Sequence, residues 1–223
     1  MTGTTLSNLK LVGTATAAGG RFARVKVTGE TVLAGDLECQ QISCMGTLEI
    51  KGNLNAGSFR LTGECQVGGN MSSTRMHAIG DLQVAGDFRG DQVKLTGGIR
   101  VRGNCEADRL QISGAVTVEG LLNAEDIDIR LHGPSRLREI GCSRITVKKS
   151  RAAKVKSLFA SGGSAELFAD LIEGDSLVLE HTRAAVVRGN RVTIGRGCEI
   201  GRVEYRESLE VGSKAVVKEK VKI

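Results

Sequence analysis

Six cysteines, three histidines and a recurring Asp or Asn are the side chains of this 223-residue chain whose types could support chemistry. Cys39, Cys44, Cys65, Cys105, Cys142 and Cys198 fall at irregular intervals, with no CxxC pair. Structural zinc sites and dithiol redox centres need closely spaced thiols, so this spacing supports neither. The thiols read as small apolar side chains in a reducing cytoplasm. His77, His132 and His181 have no Cys, His or carboxylate at metal-ligand spacing and read as surface or loop residues. The thirty glycines include neither a GxxxxGK[ST] motif nor a single Gly-Lys dipeptide, which argues against a phosphate cradle. We therefore expect a non-enzyme, with no catalytic residue, metal or cofactor.

What must position these residues is an internal repeat. Rows starting at Val25, Ile42, Phe59, Met76, Val93 and Leu110 are consecutive units of 17 residues, preceded by a 16-residue unit from Leu9 and followed by an 18-residue unit from Ile127. Position 5 is glycine seven times, from Gly13 to Gly114, and position 11 seven times, from Gly19 to Gly120. Between the glycines, apolar residues pair at alternate positions, as in Val25/Val27, Leu48/Ile50 and Leu54/Ala56. Alternate side chains of a strand share a face, so each unit supplies three short strands with inward pairs. The expected fold is all-β, a three-sided parallel β-helix with about 17 residues per turn, stacked at about 4.8 Å. Glycine suits both corners because it enters left-handed conformations freely. Asp36, Asn53, Asn70, Asp87 and Asn104 follow the second glycine and read as turn residues bonding local backbone. The six cysteines fall in inward columns, while His77 lies in an outward one.

Composition agrees with a narrow interior. There is one Pro, one Tyr, five Phe and no Trp, while 40% of residues are hydrophobic. The net charge of +6, from 31 basic and 25 acidic residues, is spread evenly along the chain and reads as a solvated surface, not a specific nucleic-acid site. No N-terminal segment reads as a signal peptide and no run is long enough to span a bilayer. We divide the chain into regular turns over 1–144, an interrupted turn with a protruding basic loop over 145–170, and further turns over 171–223, as one solenoid or two halves. The last part keeps a beat near six residues from Val192/Ile194 to Val221/Ile223. The interruption carries Lys148, Lys149, Arg151, Lys154 and Lys156 without an acid, a candidate partner contact.

A β-helix has open strand edges at its first and last turns. Leu9-Lys10-Leu11 opens the first turn and Val221-Lys222-Ile223 closes the last, with no helix-like cap apparent at either end. We expect end-to-end self-association that extends the backbone ladder. Units such as "LTGECQVGGNMSSTRMHAIGDLQVAGDFRGDQ" resemble the bactofilins, the polymer-forming bacterial cytoskeletal family. The closing "LFADLIEGDSLVLEHTRAAVVRGNRVTIGRGCEIGRVEY" is similar to Bacillus-type members. The resemblance implies a right-handed β-helix that polymerises without nucleotide and scaffolds other cytoplasmic or membrane-associated proteins in cell shape, polarity or motility. It also implies polymer contacts at the terminal turns, near Leu9, Leu11, Val221 and Ile223. Typical members carry one short β-helix between disordered tails, some with an N-terminal membrane-targeting stretch. Here turns fill nearly the whole chain, which argues against direct membrane attachment and fits two β-helical segments. A cytoplasmic location is implied, reaching the inner membrane face through partners.

One alternative remains. "VTIGRGCEIG" resembles the hexapeptide repeats of left-handed β-helical acyltransferases, which use an interfacial histidine and an acyl-CoA donor. The 17-residue main repeat and the scarcity of aromatics to hold an adenine weigh against it.

Overall fold

The computed structural model describes residues 6–150 and 164–223. They form twelve strands: β1 (Asn8–Ala17), β2 (Gly20–Leu33), β3 (Leu37–Ile50), β4 (Leu54–Val67), β5 (Met71–Val84), β6 (Phe88–Val101), β7 (Cys105–Leu131), β8 (Ser135–Lys149), β9 (Leu167–Leu179), β10 (Thr182–Ile194), β11 (Glu199–Val211) and β12 (Val216–Lys222). Each is parallel to the next, and sheet order follows sequence order from β1 to β12. This is the expected β-solenoid.

One turn shows how the sequence folds. In β3, Leu37 and Cys39 line the first side, Ile42 and Cys44 the second, and Leu48 and Ile50 the third, and all six are buried. The next turn repeats the pattern in register, Leu37 opposite Leu54, Ile42 opposite Phe59 and Leu48 opposite Cys65. Each inward residue thus packs on its equivalent above and below, giving one continuous narrow core. Thr31 is the misfit, a buried hydroxyl in an apolar column without a hydrogen-bond partner.

The two glycine columns have different causes. From Gly29 to Gly97, position 5 has φ between +111° and +133°, which side chains resist. A Cβ on Gly80 would also lie 1.9 Å from the Gly63 carbonyl oxygen. Position 11 lacks positive φ, which corrects the single explanation expected for both columns. From Gly52 to Gly120 the neighbouring turn leaves no room there: a Cβ on Gly86 would lie 2.1 Å from Asn70 Oδ1. The Asp/Asn column explains this crowding. Asp36 Oδ1 accepts the Asn53 backbone N–H at 2.7 Å, Asn53 Oδ1 that of Asn70 at 2.8 Å, and Asn70 Oδ1 that of Asp87 at 2.9 Å. Asp87 and Asn104 continue the series to Asn104 and Leu121 at 2.8 and 2.9 Å. These side chains bond the following turn instead of their local backbone, because corner backbone lacks a strand partner for that N–H.

The C-terminal turns differ from expectation in two ways. Strand β8 runs through 144/145 to Lys149, and β9 starts at Leu167, so the interruption is narrower than 145–170. Ser135 pairs with Leu167 and Val147 with Leu179, so the ladder continues from β8 to β9 without a break. The turns that follow are shorter: β9 and β10 pair Leu167 with Thr182 and Leu179 with Ile194, an offset of 15. Buried Leu167, Ile172, Leu177, Thr182, Val187 and Val192 fall every five residues. Shorter sides enclose less space, and inward Gly189 fits where a Cβ would meet Leu177 Cδ1 at 3.0 Å and Val192 Cγ2 at 3.1 Å.

Candidate functional site

At the N-terminal end, β1 pairs with β2, and among the described residues its other edge has no strand partner. Leu9 and Leu11 occupy the inward columns, opposite Val25 and Val27, but are only half-buried because no layer of the described residues lies beyond them. The other end repeats this state. β12 pairs with β11, and among the described residues its far edge is also open. The inward residues of that end layer are the half-buried Leu209, Val211, Ala215 and Val217. Val221 and Ile223, assigned inward by the six-residue beat, are placed otherwise. The register sets Lys220 opposite Val203 and Val221 opposite Glu204, because the next apolar residue comes four positions after Val217 but three after Ile200. Ile223 is 54% exposed, and its backbone N–H donates to the Tyr205 carbonyl at 2.9 Å.

The nucleophile candidates are withdrawn into the core. Cys39, Cys44, Cys65, Cys105 and Cys198 are buried and Cys142 is half-buried, all with free thiols. Burial pushes Cys39 and Cys44 up to about 11 and Cys105 and Cys142 up to about 12, and raises Cys65 and Cys198 as well. A thiol held protonated is a poor nucleophile. Among the described residues no three His, Cys, Asp or Glu side chains cluster as metal ligands.

The histidines do not converge. His77 lies outward between Arg60 and Lys94. His132 Nε2 lies 3.0 Å from Ser113 Oγ, an exposed pair that sequence spacing did not suggest. A Ser–His pair needs an orienting carboxylate and an oxyanion site to act as a nucleophile. Among the described residues no carboxylate bonds its other nitrogen. His181 holds a corner at φ 50°, and burial, then Lys149 and Arg196, lower its basicity.

Charge is sorted by face, which the linear sequence conceals. In the C-terminal turns cations and carboxylates pair: Arg188 bridges Glu204 at 2.6 Å and Glu173 at 3.3 Å, and its bond holds the Glu204 carboxyl below the usual range. Arg183 joins Glu166 and Glu199, each at 3.4 Å, and stacks 5.9 Å over Phe168 beside a concave surface of about 790 Å³. The second side of the first seven turns carries cations that lie outside ion-pair distance of any carboxylate among the described residues, although Arg109 attracts Asp126 one turn on. Of the expected partner contact, exposed Lys148 and half-buried Lys149 end β8, while Arg151, Lys154 and Lys156 lie outside the described residues. No helix among the described residues is long and apolar enough to cross a membrane.

No family model matches the chain, and no solved structure does. Part of the chain is similar to two proteins of Bacillus subtilis (strain 168). The uncharacterized protein YhbF is 44% identical over 103 residues, covering 46% of this chain and 41% of YhbF. The uncharacterized protein YhbE is 38% identical over 103 residues, covering 46% of this chain and 43% of YhbE. The match thus spans less than half the length of either relative.

Proposed function

We propose that the chain is a non-catalytic structural scaffold whose β-helices stack end to end, without nucleotide, into cytoskeletal filaments that support cell shape, polarity or motility. The observation that carries this reading is the state of the two end layers. Both present a strand edge without a partner among the described residues, over inward apolar side chains that are only half-buried. A second copy supplies what each layer lacks, backbone partners and apolar cover. The resemblance of the seventeen-residue units to the bactofilins supports the same reading.

The test is negative-stain microscopy of the purified chain without nucleotide. Filaments or sheets are expected. Leu11→Asp and Val217→Asp each place a carboxylate in an end layer, so each is expected to stop growth at one end. Either variant mixed with the unmodified chain should shorten its filaments. Monomeric particles at all concentrations would overturn the proposal, and thermal stabilisation by acetyl-CoA would favour the acyltransferase alternative.

A further inference from the structure

The second side of the prism, across the first seven turns, has three outward columns. Parallel register aligns them: Asn8 begins the first and Arg109 ends it, Lys10 and Gln111 bound the second, and Val12 and Ser113 the third. The first column holds Arg24, Arg75 and Arg109, and the second Lys10, Lys26, Arg60 and Lys94. None of the twenty-one positions is Asp or Glu. Seven cations on one face exceed the whole-chain charge of +6, so the rest of the sequence is nearly balanced. Among the described residues none of the seven makes a carboxylate ion pair. Arg24 bonds the neutral Gln41 side chain at 3.1 Å. Asp91 and Asp108 lie on the adjoining corner. The field ends one turn later, where Asp126 meets Arg144 at 2.5 Å and Asp128 meets Arg130 at 3.9 Å.

The third column gives the face its second character. Val12, Met45 and Ile79 are 65%, 62% and 50% exposed, three of the six most exposed large apolar side chains among the described residues. They alternate with Thr28, Thr62 and Thr96, so an apolar row runs beside the cationic rows. Seven strands at about 4.8 Å make the face about 29 Å long.

Against the expectation drawn from the chain's layout, we propose that this face docks on an anionic lipid bilayer surface. Lys and Arg attract acidic headgroups, and Val12, Met45 and Ile79 seat at the boundary between headgroups and acyl chains. A bilayer surface is wide enough to meet all three columns along the whole length of the face, whereas a duplex of nucleic acid presents a narrow, curved backbone. The face has no Phe, Tyr or Trp on which single-stranded bases could stack. Its apolar row also has no counterpart on a phosphate backbone. This inference stands apart from filament formation, although a polymer would multiply the face and raise its avidity.

Vesicle flotation tests it, using phosphatidylcholine vesicles with and without phosphatidylglycerol. The chain should float with the phosphatidylglycerol vesicles alone, and added salt should release it. Lys26→Glu with Lys94→Glu should weaken binding about tenfold or more. Arg100→Glu with Arg102→Glu changes the net charge equally on the third side and should weaken it about twofold at most. Met45→Ser with Ile79→Ser should weaken vesicle binding without altering net charge. Circular dichroism and filament microscopy of each variant separate this result from unfolding and from loss of assembly. Equal losses for both charge-reversal variants, no flotation, or tighter binding to duplex DNA at the same salt would each overturn the proposal.

Discussion

At the residue scale the thiols give a measurable signature. Burial lifts the Cys39, Cys44, Cys105 and Cys142 thiols to between about 11 and about 12 from an ordinary 9.0. An unfolded thiol ionises from about pH 9 while the folded one stays protonated. Their contribution to stability is therefore full below pH 9 and falls as pH rises toward the folded values, by about 1.4 kcal/mol per thiol for each pH unit. The urea midpoint should drop through that window, and Cys105→Ala should flatten the drop. At neutral pH the native thiols should react slowly with a disulfide reagent and quickly in denaturant. The inward placement was legible in the sequence, because Cys39 and Cys65 alternate with outward polar residues and Cys44 falls in an apolar column. The contact of Ser113 with His132 was not, because it joins residues 19 apart in neighbouring turns.

At the element scale the corner glycines differ in how a substitution fails. Gly80→Ala meets backbone and a φ of +126°, so no neighbouring side chain can relieve it. A loss of about 2 kcal/mol or more is expected. Gly86→Ala first meets the Asn70 side-chain oxygen, which also accepts the Asp87 N–H. Asn70→Ala should cost about 1 kcal/mol and should soften the effect of Gly86→Ala when the two are combined. Equilibrium unfolding of the two single variants and the pair checks this coupling. The glycine columns were plain in the sequence, but their causes were not. A period shows that two positions recur, whereas the bond from each Asp or Asn to the following turn appears only when turns are stacked. The five-residue sides of β9 and β10 were missed for a related reason: inward Gly174 and Gly189 interrupt the apolar alternation that marks a strand.

At the scale of the whole molecule, one ladder runs from β1 to β12 and leaves two ends and three faces. The ends were legible as open edges, and Leu9 and Leu11 lie in the first layer as expected. At the C-terminal end Val221 and Ile223 lie at the last turn but off the inward columns, because the beat drifts from the register by one residue at the last corner. The cationic face was invisible in linear charge, since from Glu30 onward acids of the other sides lie between its cations. The central claim is assembly by extension of the ladder. Fibre diffraction or electron cryo-microscopy of nucleotide-free assemblies measures it directly. The account predicts strands perpendicular to the filament axis, a repeat of about 4.8 Å along it, and an advance of about 58 Å per chain of twelve layers. Assemblies whose strands run along the axis, or a chain that stays monomeric at every concentration, would contradict it.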